Sequence, residues 1–367
     1  MIIIDPHTDD NIYFPLSFFL AKRKALKKYE YIKESDDLSF YFTYKSSSLP
    51  RVVTNYLPGF LLFLIVKIEI IIWRRLNKIP RSIVIKKEID SNSFIFLYKK
   101  EHLLKELSFR SDYSIYCHLS HYHLYDVACE AYNSENVFLC YDNDVSGHSY
   151  FNKKFPLYNK KLIVVSFFVK DRFFSSNISL EEMRSKIAIT GTFHSYKKSS
   201  GDFGIYCDDI CTLHPIRYML YKMDLKDPLR KILSMRLSRY TPKKSLIDLI
   251  LNFREYRQKD YFEFDIVKFY SGHKFSIVAG EGTGAIAIGA LEALASGSIP
   301  FLTPHESKGL DLPFDSYIQY DGSYDDLKEK IEECFSSEDF KDPNYYRSVA
   351  KQFDYKHCLK KFKARIT

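Results

Sequence analysis

The residues best suited to chemistry cluster in one stretch, where Gly280, Gly282 and Gly284 separate an apolar run (residues 274–279) from a small-residue run carrying Glu292. Glycines let the backbone come close to a ligand, and a helix opening behind them turns unpaired N–H groups and a partial positive charge toward the turn. Such a turn suits a phosphate, with Glu281 and Thr283 on its rim. A second candidate phosphate contact is Thr190-Gly191-Thr192, where an apolar strand runs into a Gly-Thr turn. A third is Arg217 behind His214, since a guanidinium fork can pair two phosphate oxygens, although a basic surface helix is the leading reading of that stretch. For proton transfer the candidates are His118 and His121, in the run CHLSHYH, and Asp144. Cys117 and the three histidines of that run sit close enough to suggest zinc, but no second ligand cluster accompanies them, and no metal is expected.

These residues need elements to hold them. Between residues 82 and 165 short apolar runs alternate with longer mixed segments, the rhythm of strands and helices in a parallel sheet. A second series starts at residue 187. Its clearest unit is a strand at 274–279, the glycine turn, a helix to Gly297 and a strand at 299–302. The polar stretch 170–186 lies between the two series and marks the junction. The expected domains are therefore 1–175, 176–340 and a basic helical segment 341–367 that returns to the first domain.

The chain has 367 residues, 46% apolar and 27% charged, which fits two globular domains and excludes long disorder. Lysine plus arginine exceed aspartate plus glutamate by 54 − 46 = 8, a balance that suits an anionic partner. Seven cysteines without regular spacing fit a reducing compartment, and the first residues lack the pattern of a secretory signal, so a cytoplasmic location is expected. The apolar stretch 57–75 is interrupted by Lys67 and Glu69 and is too short to cross a membrane. Its leading reading is a mostly buried helix. The alternative is a helix lying on the anionic inner leaflet through Lys67, Arg74, Arg75 and Lys78, aided by the basic run 226–239.

The string GALEALASGSIPFL (289–302) resembles the donor-binding element of GT-B glycosyltransferases, and residues 274–277 ahead of it are similar to exostosin-like members. The resemblance covers residues 185–335. It implies an α/β fold of two Rossmann-like domains facing a cleft, with a nucleotide-sugar donor held by the second and a glycan or lipid-linked acceptor by the first. It also implies that Glu292 binds hydroxyls of the donor, that the turn at 282–284 faces the diphosphate, and that neither cofactor nor metal is required. Glu281 and Glu292 enclose ten residues, more than families with paired glutamates place between theirs. Nucleic acid is not expected as a partner, and polysaccharide biosynthesis is the pathway implied.

Two alternatives stand beside this. Read as a dinucleotide fingerprint, the glycine turn makes the chain an NAD(P)- or nucleotide-binding Rossmann protein, with Glu306 toward a ribose. Read as an Asp-x-Asp site, Asp142 and Asp144 would hold a metal in a GT-A enzyme.

Overall fold

The computed structural model describes residues 2–4, 39–41, 56–76, 84–86, 94–98, 104, 114–119, 122, 130–194, 196–197, 205–207, 210–240, 264–337 and 340–366. Two compact units emerge. The first comprises Met1–Tyr141, Lys154–Phe168 and Cys358–Thr367, and the second Asp142–Lys153 and Val169–His357. The divisions thus fall at 141/142, 153/154, 168/169 and 357/358, not at the single crossing per junction expected at 175/176 and 340/341.

The first unit is built on seven parallel strands: β1 (Ile2–Ile4), β2 (Ser39–Tyr41), β3 (Val84–Lys86), β4 (Phe94–Tyr98), β5 (Ser114–His118), β6 (Val137–Tyr141) and β7 (Ile163–Val164). Their order, β3-β2-β1-β4-β5-β6-β7, is the dinucleotide-fold order 3-2-1-4-5-6 with one strand added. Ile115, Cys117, Val137, Leu139 and Cys140 are fully buried, because strands covered on both faces read as continuous apolar runs.

Helix α1 (Gly59–Leu76) belongs to this unit and departs from the leading expectation of a buried helix. Leu62, Val66 and Glu69 turn inward, whereas Phe60, Phe63, Leu64, Ile68 and Ile71 are exposed. Among the described residues no helix is long and apolar enough to cross a membrane.

The second unit carries the strands β8 (Arg184–His194), β9 (Tyr196–Lys197), β10 (Ile205–Cys207), β11 (Ile210–Thr212), β12 (Leu233–Tyr240), β13 (His273–Ile277), β14 (Ile299–Leu302) and β15 (Ile318–Gln319). Its main sheet is parallel in the order β12-β8-β13-β14-β15, the 2-1-3-4-5 pattern of the flavodoxin-like doubly wound fold. Strands β9 to β11 form a small antiparallel sheet. The helices are α2 (Ser149–Lys154), α3 (Pro215–Lys222), α4 (Ile266–Ser271), α5 (Ile288–Ala295), α6 (Pro304–Ser307), α7 (Tyr324–Ser336), α8 (Pro343–Ala350) and α9 (Tyr355–Ile366).

Two parallel Rossmann-like α/β sheets are therefore present, as expected. The small residues of α5 do what their size suggests: a Cβ on Gly289 would sit 2.7 Å from Val278, so the helix lies directly on β13. At the chain end, α9 enters the first unit, where the Cys358 thiol donates to the Phe167 carbonyl and Arg365 bonds the Val164 carbonyl.

Candidate functional site

Strand β8 pairs with β13 only as far as Ile189 opposite Ile277, then continues beside β12 to His194 opposite Tyr240. The carboxyl ends of β8 and β13 thus part at the switch point of the sheet, where open α/β folds bind ligands. Arg217, on the first turns of α3, lies across this opening. Its Nε donates to the Ala279 carbonyl at 2.6 Å and its Nη1 to the Thr192 carbonyl at 2.7 Å. Sequence suggested a phosphate fork; in the structure these two donors brace the diverging strands. Gly191 has φ +135°, a conformation that disfavours a side chain, and a Cβ there would meet the guanidinium at 2.8 Å.

The glycine turn follows β13 and is folded on itself. Gly280 N–H donates to Glu306 Oε1 at 2.6 Å, Glu281 N–H to the Ala285 carbonyl, Gly282 N–H to the Leu213 carbonyl and Gly284 N–H to the Glu281 carbonyl. These amides were expected to cradle phosphate; in the structure two of them close the turn and two tie it to Leu213 and Glu306. What remains for an anion is the start of α5, where the N-cap Ala287 offers its first N–H groups no side-chain acceptor. Glu306 is likewise consumed: it also accepts from the Thr303 N–H at 2.8 Å, in a capping box at the start of α6, and is 3% exposed. Burial raises its pKa against the pull of those N–H donors. A carboxylate so engaged does not serve a ribose, which removes the residue that the dinucleotide reading needed.

A third strut was missed in sequence. Asn143 is fully buried, and its carboxamide donates to the Gly284 carbonyl at 2.9 Å and the His305 carbonyl at 2.7 Å while accepting from Ile286 N–H at 3.0 Å. Next to it the Asp144 carboxylate accepts from the Ser146 N–H and hydroxyl and pairs with Lys308 at 3.2 Å. Burial raises its pKa, but the Ser146 bonds and Lys308 outweigh that and hold it below the usual carboxylate value. His148 packs edge-on against His305, with ring centroids 4.8 Å apart, and its Cδ2 would lie 2.8 Å from a Cβ on Gly284, whose φ is +84°. Burial and then His305 depress the His148 pKa.

Glu292 lies one turn beyond the exposed Ile288 on α5. Half-buried, its carboxylate accepts no hydrogen bond among the described residues. Burial raises its pKa to about 7, against the pull of Arg172 and Lys170. Those two exposed cations belong to the segment read as a junction, where the single-turn helix Asp171–Phe174 lies against α5.

The other expected residues fall as follows. Thr190 is buried with its hydroxyl 2.6 Å from that of Tyr270, Thr192 is partly exposed, and Glu281 accepts from the buried Thr283 hydroxyl at 3.2 Å. His118 ends β5 in the first unit, without solvent exposure and against the Tyr141 ring. His121 lies outside the described residues. Among the described residues no three His, Cys, Asp or Glu side chains are grouped to hold a metal ion.

No protein-family model matches the chain, and no curated protein matches it in sequence. Solved structures resemble it. A glycosyltransferase from Rickettsia africae is 10% identical, with TM-score 0.47 over 100% of this chain and 97% of that one. The Anabaena protein HepE, crystallised with UDP and glucose, is 10% identical, with TM-score 0.45 over 99% and 98%. The pneumococcal O-GlcNAc transferase GtfA, crystallised with UDP and GlcNAc, is 12% identical, with TM-score 0.42 over 76% of this chain and 57% of that one, so the chain spans little more than half the length of that relative.

Proposed function

We propose that the chain is a glycosyltransferase that takes a sugar from a nucleotide-sugar donor held at the start of α5 and delivers it to a hydroxyl of a glycan or lipid-linked acceptor, without a metal ion. One observation carries this: Glu292 is a half-buried carboxylate in a desolvating site, with no hydrogen-bond partner among the described residues, beside the cations Lys170 and Arg172 and one turn from a helix N-terminus. Vicinal hydroxyls of a sugar would donate to such a carboxylate, and a diphosphate suits the cations and the helix end.

In the transfer, the bond from the acceptor oxygen to the anomeric carbon forms as the bond from that carbon to the phosphate oxygen breaks. The electron pair leaves on the nucleoside diphosphate, where Lys170, Arg172 and the α5 dipole offset the growing charge. The acceptor proton passes to a base sought among His118, His121 and Asp144. His118 is fully buried and Asp144 is already bound to Ser146 and Lys308, so either would have to be uncovered to act.

Thermal shift against UDP, GDP, ADP, CDP and NAD tests the reading, because a ligand specific for the folded state raises Tm. A shift with at least one nucleoside diphosphate, abolished by Glu292→Ala, is expected. A shift with NAD alone would overturn it.

A further inference from the structure

We propose that helix α1 docks on an anionic lipid bilayer through its outward face. At 3.6 residues per turn, Phe60, Phe63, Leu64, Lys67, Ile68, Ile71 and Arg75 share one face. The five apolar members are 66%, 54%, 50%, 57% and 55% exposed, and Lys67 and Arg75 are exposed with them. Single exposed apolar residues are ordinary, but a row repeating every three to four residues over about 16 Å is an apolar surface that none of the described residues covers. The one acidic residue of the helix, Glu69, is turned inward at 5% exposure, so the outward face carries positive charge alone.

That pairing of chemistry selects the occupant. A helix whose outward side mixes exposed apolar side chains with the cations Lys67 and Arg75, and which has no capacity to span, suits the interfacial plane of an anionic bilayer. Lys67 reaches across the Phe63 ring, its Nζ 4.3 Å from the centroid, so the stem can remain among apolar groups while the ammonium meets a lipid phosphate. A second copy fits less well, since two-fold pairing of this face would bring Lys67 near its own counterpart in the middle of the row.

The test is co-sedimentation of the full chain with vesicles of pure phosphatidylcholine or with one third phosphatidylglycerol, alongside oligomeric state by light scattering. Binding to the anionic vesicles should exceed binding to the neutral ones by about tenfold, and salt should weaken it. Phe63→Ser with Ile68→Ser should lower binding to both by at least about tenfold, and Lys67→Glu with Arg75→Glu should abolish the anionic preference. Circular dichroism and the nucleotide-induced Tm shift should stay unchanged in both variants, which separates this outcome from failure of the proposed activity. Absence of binding, unaltered binding by the serine pair, or a dimer that the serine pair dissociates would overturn the proposal.

Discussion

A Cβ placed on Gly191 would lie 2.8 Å from the Arg217 guanidinium, which is itself held by carbonyls on both sides of the switch point. Neither partner can yield without opening the end of the sheet. Gly191→Ala adds that contact to a backbone at φ +135°, and should destabilise the fold by about 2 kcal/mol. Arg217→Lys, which cannot reach two carbonyls with a fixed fork, should cost a similar ~2 kcal/mol. Urea unfolding measures both. A stability unchanged in Arg217→Lys would show that the brace is dispensable.

Asn143 supports the glycine turn from the other side, and its removal takes their bond from two buried backbone groups, the Ile286 N–H and the Gly284 carbonyl, and one bond from the part-buried His305 carbonyl, which keeps the Lys308 N–H. Asn143→Ala should therefore cost about 3 kcal/mol. Asn143→Asp should be no milder, because a carboxylate oxygen would then face two carbonyls. If the residue instead belonged to a metal site formed with Asp142 and Asp144, the aspartate variant would gain metal-dependent stability, and a manganese-induced rise in Tm would reveal it.

Activity should survive EDTA, since cations and a helix N-terminus are proposed to take the diphosphate charge. Transfer of sugar from a radiolabelled donor, assayed with and without chelator, decides this. Complete loss with recovery on adding manganese would return the assignment to Asp142 and Asp144.

The unit from β13 through the glycine turn to β14 was legible because each feature that shaped it is local: an apolar strand, glycines where Gly280 and Gly284 are crowded, and small residues where α5 meets the sheet. What escaped depended on direction and distance. Arg217 and a phosphate-binding arginine have the same side chain, and only the fold shows that Nε and Nη1 point at carbonyls. Asn143 acts across more than 140 residues of sequence. Lys170 and Arg172 read as solvated linker because nothing local records that their segment lies against α5. Helix α1 was left between two readings for another reason: it is apolar nearly all round, so its sequence does not mark which side packs inward and which is exposed.

Glu292 yields the sharpest expectation, because its stability and binding effects have opposite signs. Burial raises its pKa from 4.5 to about 7, so the protonated form is the one the folded site favours. This contribution is fully present below the unfolded value and is lost as pH rises through about 7, where ionisation costs the fold up to ~3 kcal/mol. Glu292→Gln should therefore raise Tm at pH 8 and leave it nearly unchanged at pH 4. A donor whose hydroxyls bond the carboxylate requires the ionised form, whose population grows about tenfold between pH 6 and pH 8. Nucleotide-sugar affinity in calorimetry should tighten by about that factor over the same interval, with proton release, while Glu292→Gln binds weakly and without the pH slope. Turnover in Glu292→Ala should fall by on the order of 100-fold with folding intact. A pH slope that persists in the glutamine variant would show that another group titrates, and unchanged affinity in that variant would remove Glu292 from the donor site.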